Sequence, residues 1–325
     1  PADAVLACST GRIGLQIPHE KLLPGVRRAV AALSPAGFPA AANAILTTDA
    51  FPKTVVKRFR LGGKPVTLAV MGKGAGMIAP NLATLLVFAV TDARLPRAVA
   101  QAALTAAVAD SFNVITVDGD MSTNDTVMLL AGGAAGNATV GRGSADARRF
   151  TAALRDALTQ VACDCVRDGE GAGKLVEVVV RGARTPADAE RVARAVASSV
   201  LCKAAFAGGD PNWGRFCCAA GTAGVALDAD SMDVIIDGVS VSRRGTPIPA
   251  ALPKAAKRMQ RREFQIVLDL HRGRARADVH LRPDGRLRSL QRGLHHVGRL
   301  PRCDRRALLG LWCLRSVARR RRARR

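Results

Sequence analysis

A glycine-rich loop that ends in a threonine is the part of the sequence best suited to chemistry. Residues 72–84 contain three alternating glycines, one lysine and a closing threonine, and they lead into an apolar run. Glycines let the backbone approach a ligand closely, and Lys73 brings a positive charge to the same place. Because Ala83 is small, little side chain crowds the Ala83–Thr84 peptide bond. We predict that this bond is cleaved and that Thr84 is then a nucleophile.

A threonine hydroxyl is a poor nucleophile unless a base removes its proton. The α-amine of the same residue can act as that base once the preceding bond has been cut. An α-amine has a pKa of about 7.7–8.0, close to the operating pH, which suits a general base. The alternative is that Thr84 is an ordinary β-branched residue at the start of a strand and that Lys73 is a solvated surface charge.

Two other patterns near this loop are weak when taken alone. The loop has neither the GxGxxG spacing of dinucleotide-binding proteins nor the GxxxxGK[ST] of nucleotide-binding loops. Residues 118–125 are dense in short polar side chains, but they lack the closing glutamate of a calcium loop. We interpret them as turn and helix-cap residues that precede an apolar run.

The elements that must position these residues alternate between strands and helices. Apolar periodicity predicts strands at 5–9, 54–61, 66–70, 114–117, 175–180, 223–227, 234–241, 264–270 and 275–279, and helices at 22–33, 40–46, 96–110, 145–166 and 186–198. We expect the second and third strands to form one hairpin and the last two to form another, around Gly273. Hairpins are too frequent for an all-parallel sheet, so we expect an α+β layered sandwich rather than a doubly wound fold.

Composition and charge argue against several classes of protein. No apolar run is long enough to span a bilayer, and the eight cysteines contain no CxxC pair that would indicate zinc. The net charge is +23, but residues 281–325 hold fifteen arginines against two aspartates and so contribute +13 of it. A moderately basic body with a separate arginine-rich tail does not form one basic face for nucleic acid.

Seven short blocks, in a fixed order along the chain, carry a resemblance to a known family. They are Thr10-Gly11, Thr47-Thr48-Asp49, the loop from Lys73 to Thr84, Thr91-Asp92-Ala93, and residues 118–126, 167–174 and 209–215. With these motifs the chain resembles the glutamate N-acetyltransferases of arginine biosynthesis, also called ornithine acetyltransferases. The resemblance covers residues 5–279 approximately.

The resemblance implies a self-processing enzyme with a ping-pong mechanism and the layered fold of that family. There an Ala-Thr bond, here Ala83–Thr84, is cleaved autocatalytically into α and β chains. The new amino-terminal threonine takes the acetyl group from N-acetylornithine and passes it to glutamate. The family's oxyanion pair corresponds to Thr10 and Gly11, where donors would stabilise the tetrahedral intermediate.

The family's substrate contacts correspond to Thr47, Lys73, Thr84 and Glu170. Lys73 can pair with a substrate carboxylate, and Glu170 can pair with a substrate ammonium. The resemblance further implies an α2β2 assembly in the cytoplasm, with no cofactor, metal, nucleic acid or membrane partner. Whether acetyl-CoA also serves as an acetyl donor, which would make the enzyme bifunctional, stays open.

The same resemblance divides the chain into four parts. Residues 1–83 correspond to a remnant of the α chain, and residues 84–165 to the start of the β chain, which carries the nucleophile. Residues 166–280 correspond to a smaller C-terminal α+β domain. Residues 281–325 form an arginine-rich tail that we expect to be disordered.

The chain departs from the family at both ends. The segment that leads into the Thr-Gly strand is absent, so we expect that an upstream piece is missing. The family's carboxyl end, rich in Asp, Tyr and Asn and carrying two more substrate ligands, does not follow Val279. Residues 281–298 can be back-translated with permitted codons. When one such nucleotide sequence is read from its second base, it encodes CDLTVDYVRFNADYTT and then a stop codon, which resembles that end. We interpret the tail as a frameshifted translation and expect little acetyl transfer from the chain as written.

Two other functions remain as alternatives. One is a self-processing aminopeptidase, a hydrolase that shares the overall fold, although Lys73 and Glu170 suit an amino-acid substrate and favour transfer. The other is a nucleic-acid-binding protein that uses the arginines of residues 315–325. The body of the chain has few aromatic residues on which bases could stack, which argues against it.

Overall fold

A computed structural model describes residues 5–11, 14–79, 85–122, 124–171 and 173–281 of the 325-residue chain. The helices are α1 (His19–Ala31), α2 (Phe38–Ala44), α3 (Arg97–Ala109), α4 (Ala145–Asp168), α5 (Pro186–Ser198), α6 (Val200–Gly208), α7 (Trp213–Gly221) and α8 (Leu252–Met259). The strands are β1 (Lys53–Leu61), β2 (Lys64–Lys73), β3 (Leu86–Thr91), β4 (Ile115–Thr116), β5 (Thr126–Ala131), β6 (Leu175–Ala183), β7 (Asp233–Ile236), β8 (Val239–Arg243), β9 (Thr246–Pro247), β10 (Glu263–Asp269) and β11 (Ala275–Leu281).

A four-stranded sheet in the order β1-β2-β3-β5 forms the first layer. Strands β1 and β2 pair as the predicted hairpin around Gly62 and Gly63, which both have positive φ. Strand β3 is antiparallel to β2 and parallel to β5, so the sheet is mixed. The apolar run after the glycine loop therefore becomes an interior strand of this sheet.

Helix α4 covers this sheet and packs against β1, β2 and α3. Its buried side chains recur at helical spacing; they include Phe150, Leu154 and Val161. Ser144 caps its amino terminus, because its side chain accepts a hydrogen bond of 3.1 Å from the N–H of Ala147. Residues 145–168 form one continuous helix that ends beside the glycine loop.

A seven-stranded sheet in the order β4-β11-β6-β10-β7-β8-β9 forms the second layer. Strand β6 is parallel to β10 on one side and antiparallel to β11 on the other. Helix α5 packs on β6 and β11. With two separate mixed sheets and their helices, the predicted α+β class is confirmed.

The buried apolar side chains form two clusters that follow the two sheets. One cluster contains side chains of β1 to β5, α3 and α4, and its last residue in the sequence is Leu175. The other cluster begins at Val176 and contains side chains of the second sheet and of α5 to α8. None of the described helices is long and apolar enough to cross a bilayer.

Several predicted elements were wrong. Residues 5–9 form no strand, and neither do residues 223–227. Residues 234–241 form the two strands β7 and β8, because Asp237 and Gly238 both adopt positive φ and turn the chain. Strands β10 and β11 are not a hairpin, because β6 lies between them. Helices α6 and α7 were missed, because their glycines and alanines carry little apolar periodicity.

Candidate active site

The glycine loop begins where β2 ends, at a buried lysine. Lys73 is the last residue of β2, and its side chain is 4% exposed. Farther along, the carboxylate of Asp118 accepts hydrogen bonds from the N–H groups of Met77 (2.6 Å) and Ile78 (3.0 Å). Met77 has a φ of 50°, a conformation that costs a non-glycine residue about 1–3 kcal/mol. Two charge-assisted hydrogen bonds offset that cost and fix the loop up to residue 79.

Asp49 joins Lys73 to the segment that carries Thr47. One carboxylate oxygen of Asp49 accepts the N–H of Gly74 at 2.7 Å, and the other accepts the N–H of Thr47 at 3.2 Å. The Nζ of Lys73 lies 3.9 Å from Asp49. Burial opposes ionisation of Asp49, but its hydrogen bonds with Lys53 and Gly74 outweigh burial and lower its pKa. Asp49 therefore stays charged and balances the two buried lysines.

Lys53 connects this arrangement to the end of α4. Its side chain is fully buried, and Nζ donates to Asp49 (2.7 Å) and to Asp168 (2.6 Å). Burial works against the charged form of Lys53, but these two carboxylates raise its pKa overall. Asp168 also accepts the N–H of Ala50 at 2.9 Å. The start of β1 and the end of α4 are thus held together by one buried ion network.

Glu170, two residues beyond α4, lies against the glycine loop. Its N–H donates to the carbonyl of Ala75 at 2.8 Å. A Cβ atom placed on Gly76 would lie 3.5 Å from Oε1 of Glu170 and 3.9 Å from Oδ2 of Asp118. Two carboxylates therefore flank a loop that starts at a buried ammonium group. Such a loop can bind a small molecule that carries both charges, as an amino acid does.

Asn124 and Asp125 link two chain segments that are distant in sequence. The side-chain amide of Asn124 donates to the carbonyl of Ser9 at 2.6 Å, directly before Thr10 and Gly11. Asp125 Oδ1 accepts the N–H of Leu85, the residue after Thr84, at 2.8 Å. Ser9, next to the predicted oxyanion pair, and Leu85, next to the predicted nucleophile, therefore form hydrogen bonds with two consecutive residues.

The carboxyl group of Asp125 is the most perturbed acid in this region. Burial raises its pKa to about 6, although the Leu85 N–H and the charge of Lys73 act in the opposite direction. It faces a cavity of about 370 Å³ between α3 and β5 whose described walls include Leu85, Leu104 and Phe112. Perturbed acids inside cavities are typical of functional sites.

The structure brings together part of the predicted site. Lys73, Thr47 and Glu170 are gathered around one loop, and their substrate-binding roles stay predictions. Thr10 and Gly11 lie in an irregular segment near Asn124. Ala83 and Thr84, and with them the predicted scissile bond, lie outside the described residues.

Sequence reasoning missed the connecting residues Asp49, Lys53, Asp118, Asn124 and Asp125. Residues 118–125 were interpreted as turn and helix-cap residues. Asp118 does accept a local N–H, from Asp120 at 3.1 Å, as a turn residue does. The helix-cap part is wrong, because the apolar run that follows forms strand β5, and the interpretation does not account for the bonds of Asp118 with Met77 and Ile78. It is incomplete for Asn124 and Asp125, whose partners lie 115 and 40 residues away. The density of short polar side chains in residues 118–125 was the signal in the sequence that could have indicated these connecting roles.

The fold is an α+β sandwich with two mixed sheets, and its candidate site gathers charged groups of both signs around one loop. A family model described as the ArgJ family matches residues 1–281. The chain therefore belongs to the ArgJ family. The predicted family and the predicted enzyme class, an N-acyltransferase of arginine biosynthesis, are confirmed.

Known relatives agree with this assignment. The chain is 46% identical to the arginine biosynthesis bifunctional protein ArgJ of Symbiobacterium thermophilum, over 83% of this chain and 67% of that protein. It is 44% identical to the protein of the same name from Geobacter sulfurreducens, over 85% of this chain and 70% of that protein. The crystal structure of Bacillus halodurans ArgJ is 35% identical and superposes with a TM-score of 0.57, covering 59% of this chain and 90% of that chain.

Proposed function

We propose that this chain transfers the acetyl group of N2-acetyl-L-ornithine to L-glutamate through an acetyl-threonine at Thr84, with the low turnover expected of the chain as written. The observation that carries the proposal is the pairing of Asn124 with Ser9 and of Asp125 with Leu85. These two bonds attach Ser9, which precedes Thr10 and Gly11, and Leu85, which follows Thr84 in the sequence, to two consecutive residues, and this supports assigning both motifs to one site. Family membership supports the reaction type.

Cleavage of the Ala83–Thr84 bond is the first step of the proposal. The Thr84 hydroxyl adds to the carbonyl carbon of Ala83, and the C–N bond breaks to leave an ester. Water then hydrolyses this ester, which releases Ala83 as a carboxylate and frees both the hydroxyl and the α-amine of Thr84. The chain then consists of an α part, residues 1–83, and a β part that begins at Thr84.

Acetyl transfer then uses the freed amine as the base. The amine removes the hydroxyl proton while the Thr84 oxygen attacks the acetyl carbonyl, and the ornithine amine leaves with a proton. The glutamate amine attacks the acetyl-threonine and leaves as N-acetylglutamate. In both half-reactions, N–H donors at Thr10 and Gly11 stabilise the oxyanion, a contribution typically worth a hundredfold or more in rate, about 2.7–4 kcal/mol.

Substrate binding is assigned to the residues around the glycine loop. Lys73 pairs with the substrate carboxylate, and Asp49 keeps the lysine in place from 3.9 Å. Glu170 takes the ammonium group of ornithine. Thr47 completes the set from a segment that Asp49 anchors through the Thr47 N–H.

The wider setting follows the family. No cofactor enters the reaction, and the word bifunctional in the relatives' names supports acetyl-CoA as a second acetyl donor. We propose an α2β2 assembly in the cytoplasm, with domain divisions after residues 83, 165 and 280. The second division falls inside α4, with Cys165 and Val166 in the same apolar core, whereas the two cores change at residues 175 and 176.

Intact mass and substrate dependence test the proposal. We expect two fragments that divide between Ala83 and Thr84, and a single uncut chain for the Thr84→Ala variant. With N-acetylornithine, N-acetylglutamate should form only when glutamate is added. Release of acetate and ornithine at the same rate without glutamate would instead identify a hydrolase. An uncut wild-type chain would contradict the nucleophile assignment.

A further inference from the structure

Two buried polar atoms of the described chain lack a hydrogen-bond partner and line the same cavity. They are the hydroxyl oxygen of Thr116, on β4, and Nη1 of Arg194, on α5. The cavity has a volume of about 260 Å³, and its other described walls come from β11 and the segment that follows β4. Buried polar groups are nearly always hydrogen-bonded, so two such atoms facing one cavity indicate a ligand that binds both.

Thr116 is held firmly in the wall of this cavity. The residue is 1% exposed, and β4 pairs with β11. The next residue, Val117, donates its N–H to the carbonyl of Ile78 at 2.8 Å, and its own carbonyl accepts a hydrogen bond from Nζ of Lys203 at 3.0 Å. Because these bonds fix the backbone beside Thr116, its hydroxyl cannot reach another partner by a shift of the chain.

The guanidinium group of Arg194 is oriented by two other contacts. Its Nε donates to the carboxylate of Glu190 at 2.9 Å, and its Nη2 donates to the carbonyl of Asn113 at 2.6 Å. Since the group is planar, these bonds also set the direction of Nη1. An arginine stays protonated in proteins, so the N–H donors of Nη1 are always present and require an acceptor.

We propose that this cavity binds the carboxylate of a short aliphatic acid, with Arg194 and Thr116 as the donors to its two oxygens. Glu190 already balances part of the positive charge of Arg194, so a single negative charge suits the site better than a phosphate dianion. Ala79, Met121 and Val279 supply apolar walls for the aliphatic part. The inference uses no residue assigned to acetyl transfer and therefore stands apart from the proposed function.

Methionine methyl groups give a readout at the cavity itself. Met121 lines the cavity, whereas Met232 is 2% exposed in the second apolar core. The full chain, labelled with ¹³C at the methionine methyls, would be titrated by NMR with sodium butyrate and separately with inorganic phosphate, at constant ionic strength. We expect butyrate to shift the Met121 resonance saturably, with a Kd on the order of 1 mM, and to leave Met232 unchanged. Phosphate should bind more weakly than butyrate.

The Thr116→Val variant removes the hydroxyl and keeps the shape of the side chain. Because a hydrogen bond to a charged group is lost, the affinity for butyrate should fall about tenfold. Without butyrate, the variant should unfold at the wild-type temperature or above it, since no partner of this hydroxyl exists among the described residues. Thr116→Ser keeps the hydroxyl and should bind butyrate within about threefold of wild type.

Two further variants complete the test. Ser242→Ala is the matched control, because the hydroxyl of Ser242, on β8, is also buried without a partner in the described structure but lies outside the described walls of the cavity. It should leave butyrate binding unchanged. Arg194→Lys keeps the charge, but one ammonium group cannot serve Glu190, Asn113 and the ligand together, so affinity should fall about tenfold.

Each result decides the assignment. A Met121 resonance that does not respond to butyrate in the wild type would overturn the proposal, and so would equal affinities of wild type and Thr116→Val. Phosphate bound as tightly as butyrate would refute the carboxylate class. A Thr116→Val chain that is clearly less stable than wild type would show that the hydroxyl has a partner in the folded protein, which also overturns the proposal. Weaker binding in both Thr116→Val and Arg194→Lys, beside unchanged binding in Ser242→Ala, would support it.

Discussion

Asp125 illustrates how burial can raise the pKa of a turn residue. It occupies the position of a capping residue, and it does bind a backbone N–H. Yet its pKa is raised to about 6, whereas the pKa of Asp49, buried near Lys73, is lowered. The difference lies in their partners, since Asp49 has a lysine in hydrogen-bond contact and Asp125 does not.

The raised pKa of Asp125 predicts a pH dependence of stability. Unfolded, Asp125 loses its proton near its ordinary pKa of 3.8, but folded it keeps the proton up to about pH 6. Between these values the folded state binds more protons, so the contribution of Asp125 to stability falls as pH rises. Thermal unfolding should show Asp125→Asn gaining stability relative to wild type between pH 4 and pH 6. A constant difference across that range would show that Asp125 titrates normally.

At the scale of elements, the buried ion network of Lys53 joins β1 to the end of α4. Removing one member of a buried ion pair leaves the other charges uncompensated. Lys53→Met should therefore lower the free energy of unfolding by about 3–5 kcal/mol in urea titrations.

Arg149→Met is the control for that prediction. Arg149 forms an exposed ion pair with Asp146 at 3.2 Å, and its side chain is 56% exposed. Because water and salt screen such pairs, the change should stay within about 1 kcal/mol. Equal losses in the two variants would mean that the Lys53 network does not hold these elements together.

The contact of β2 with α4 requires a glycine at position 72. A Cβ atom there would lie 2.7 Å from Cγ1 of Val161 and 3.3 Å from Cγ2 of Val87. Gly72→Ala should cost about 1–3 kcal/mol in stability through overpacking and should displace Lys73, the next residue. Combining it with Val161→Ala should recover part of the loss.

Gly141→Ala provides the comparison for Gly72→Ala. A Cβ atom on Gly141 meets nothing within 4 Å, so the substitution should leave stability nearly unchanged. If chemical denaturation gives the same midpoint for both variants, the close approach of β2 and α4 is not a constraint.

At the scale of the whole molecule, the family match ends at residue 281, where the predicted frameshift begins. Residues 282–325 lie outside the described structure, so the expected disorder of the tail stays a prediction. The test is a chain in which residues from 281 onward are replaced by CDLTVDYVRFNADYTT. Because this chain regains two substrate ligands, it should transfer acetyl groups at least tenfold faster than the chain as written. A factor of ten in rate corresponds to about 1.4 kcal/mol in activation free energy. The nucleotide sequence of the gene checks the premise directly, and equal activity of both chains would contradict it.

Much of the first sheet could be predicted, because its signals are local. The hairpin of β1 and β2 follows from alternating apolar residues around two glycines, and α4 follows from apolar residues at helical spacing. The second sheet was predicted less well, because strand order is set by packing. Nothing in residues 264–279 indicates that β6, about ninety residues earlier, lies between β10 and β11.

For the site, the sequence by itself determined the family and the residue types that carry the proposed chemistry. Lys73, Glu170 and Thr47 were selected from their motifs, and the structure gathers them around one loop. Only the tertiary structure revealed the residues that hold them there, Asp49, Lys53, Asn124 and Asp125 among them. A motif records which side chain is present, whereas hydrogen bonds between distant segments and the burial that shifts a pKa exist only once the chain has folded.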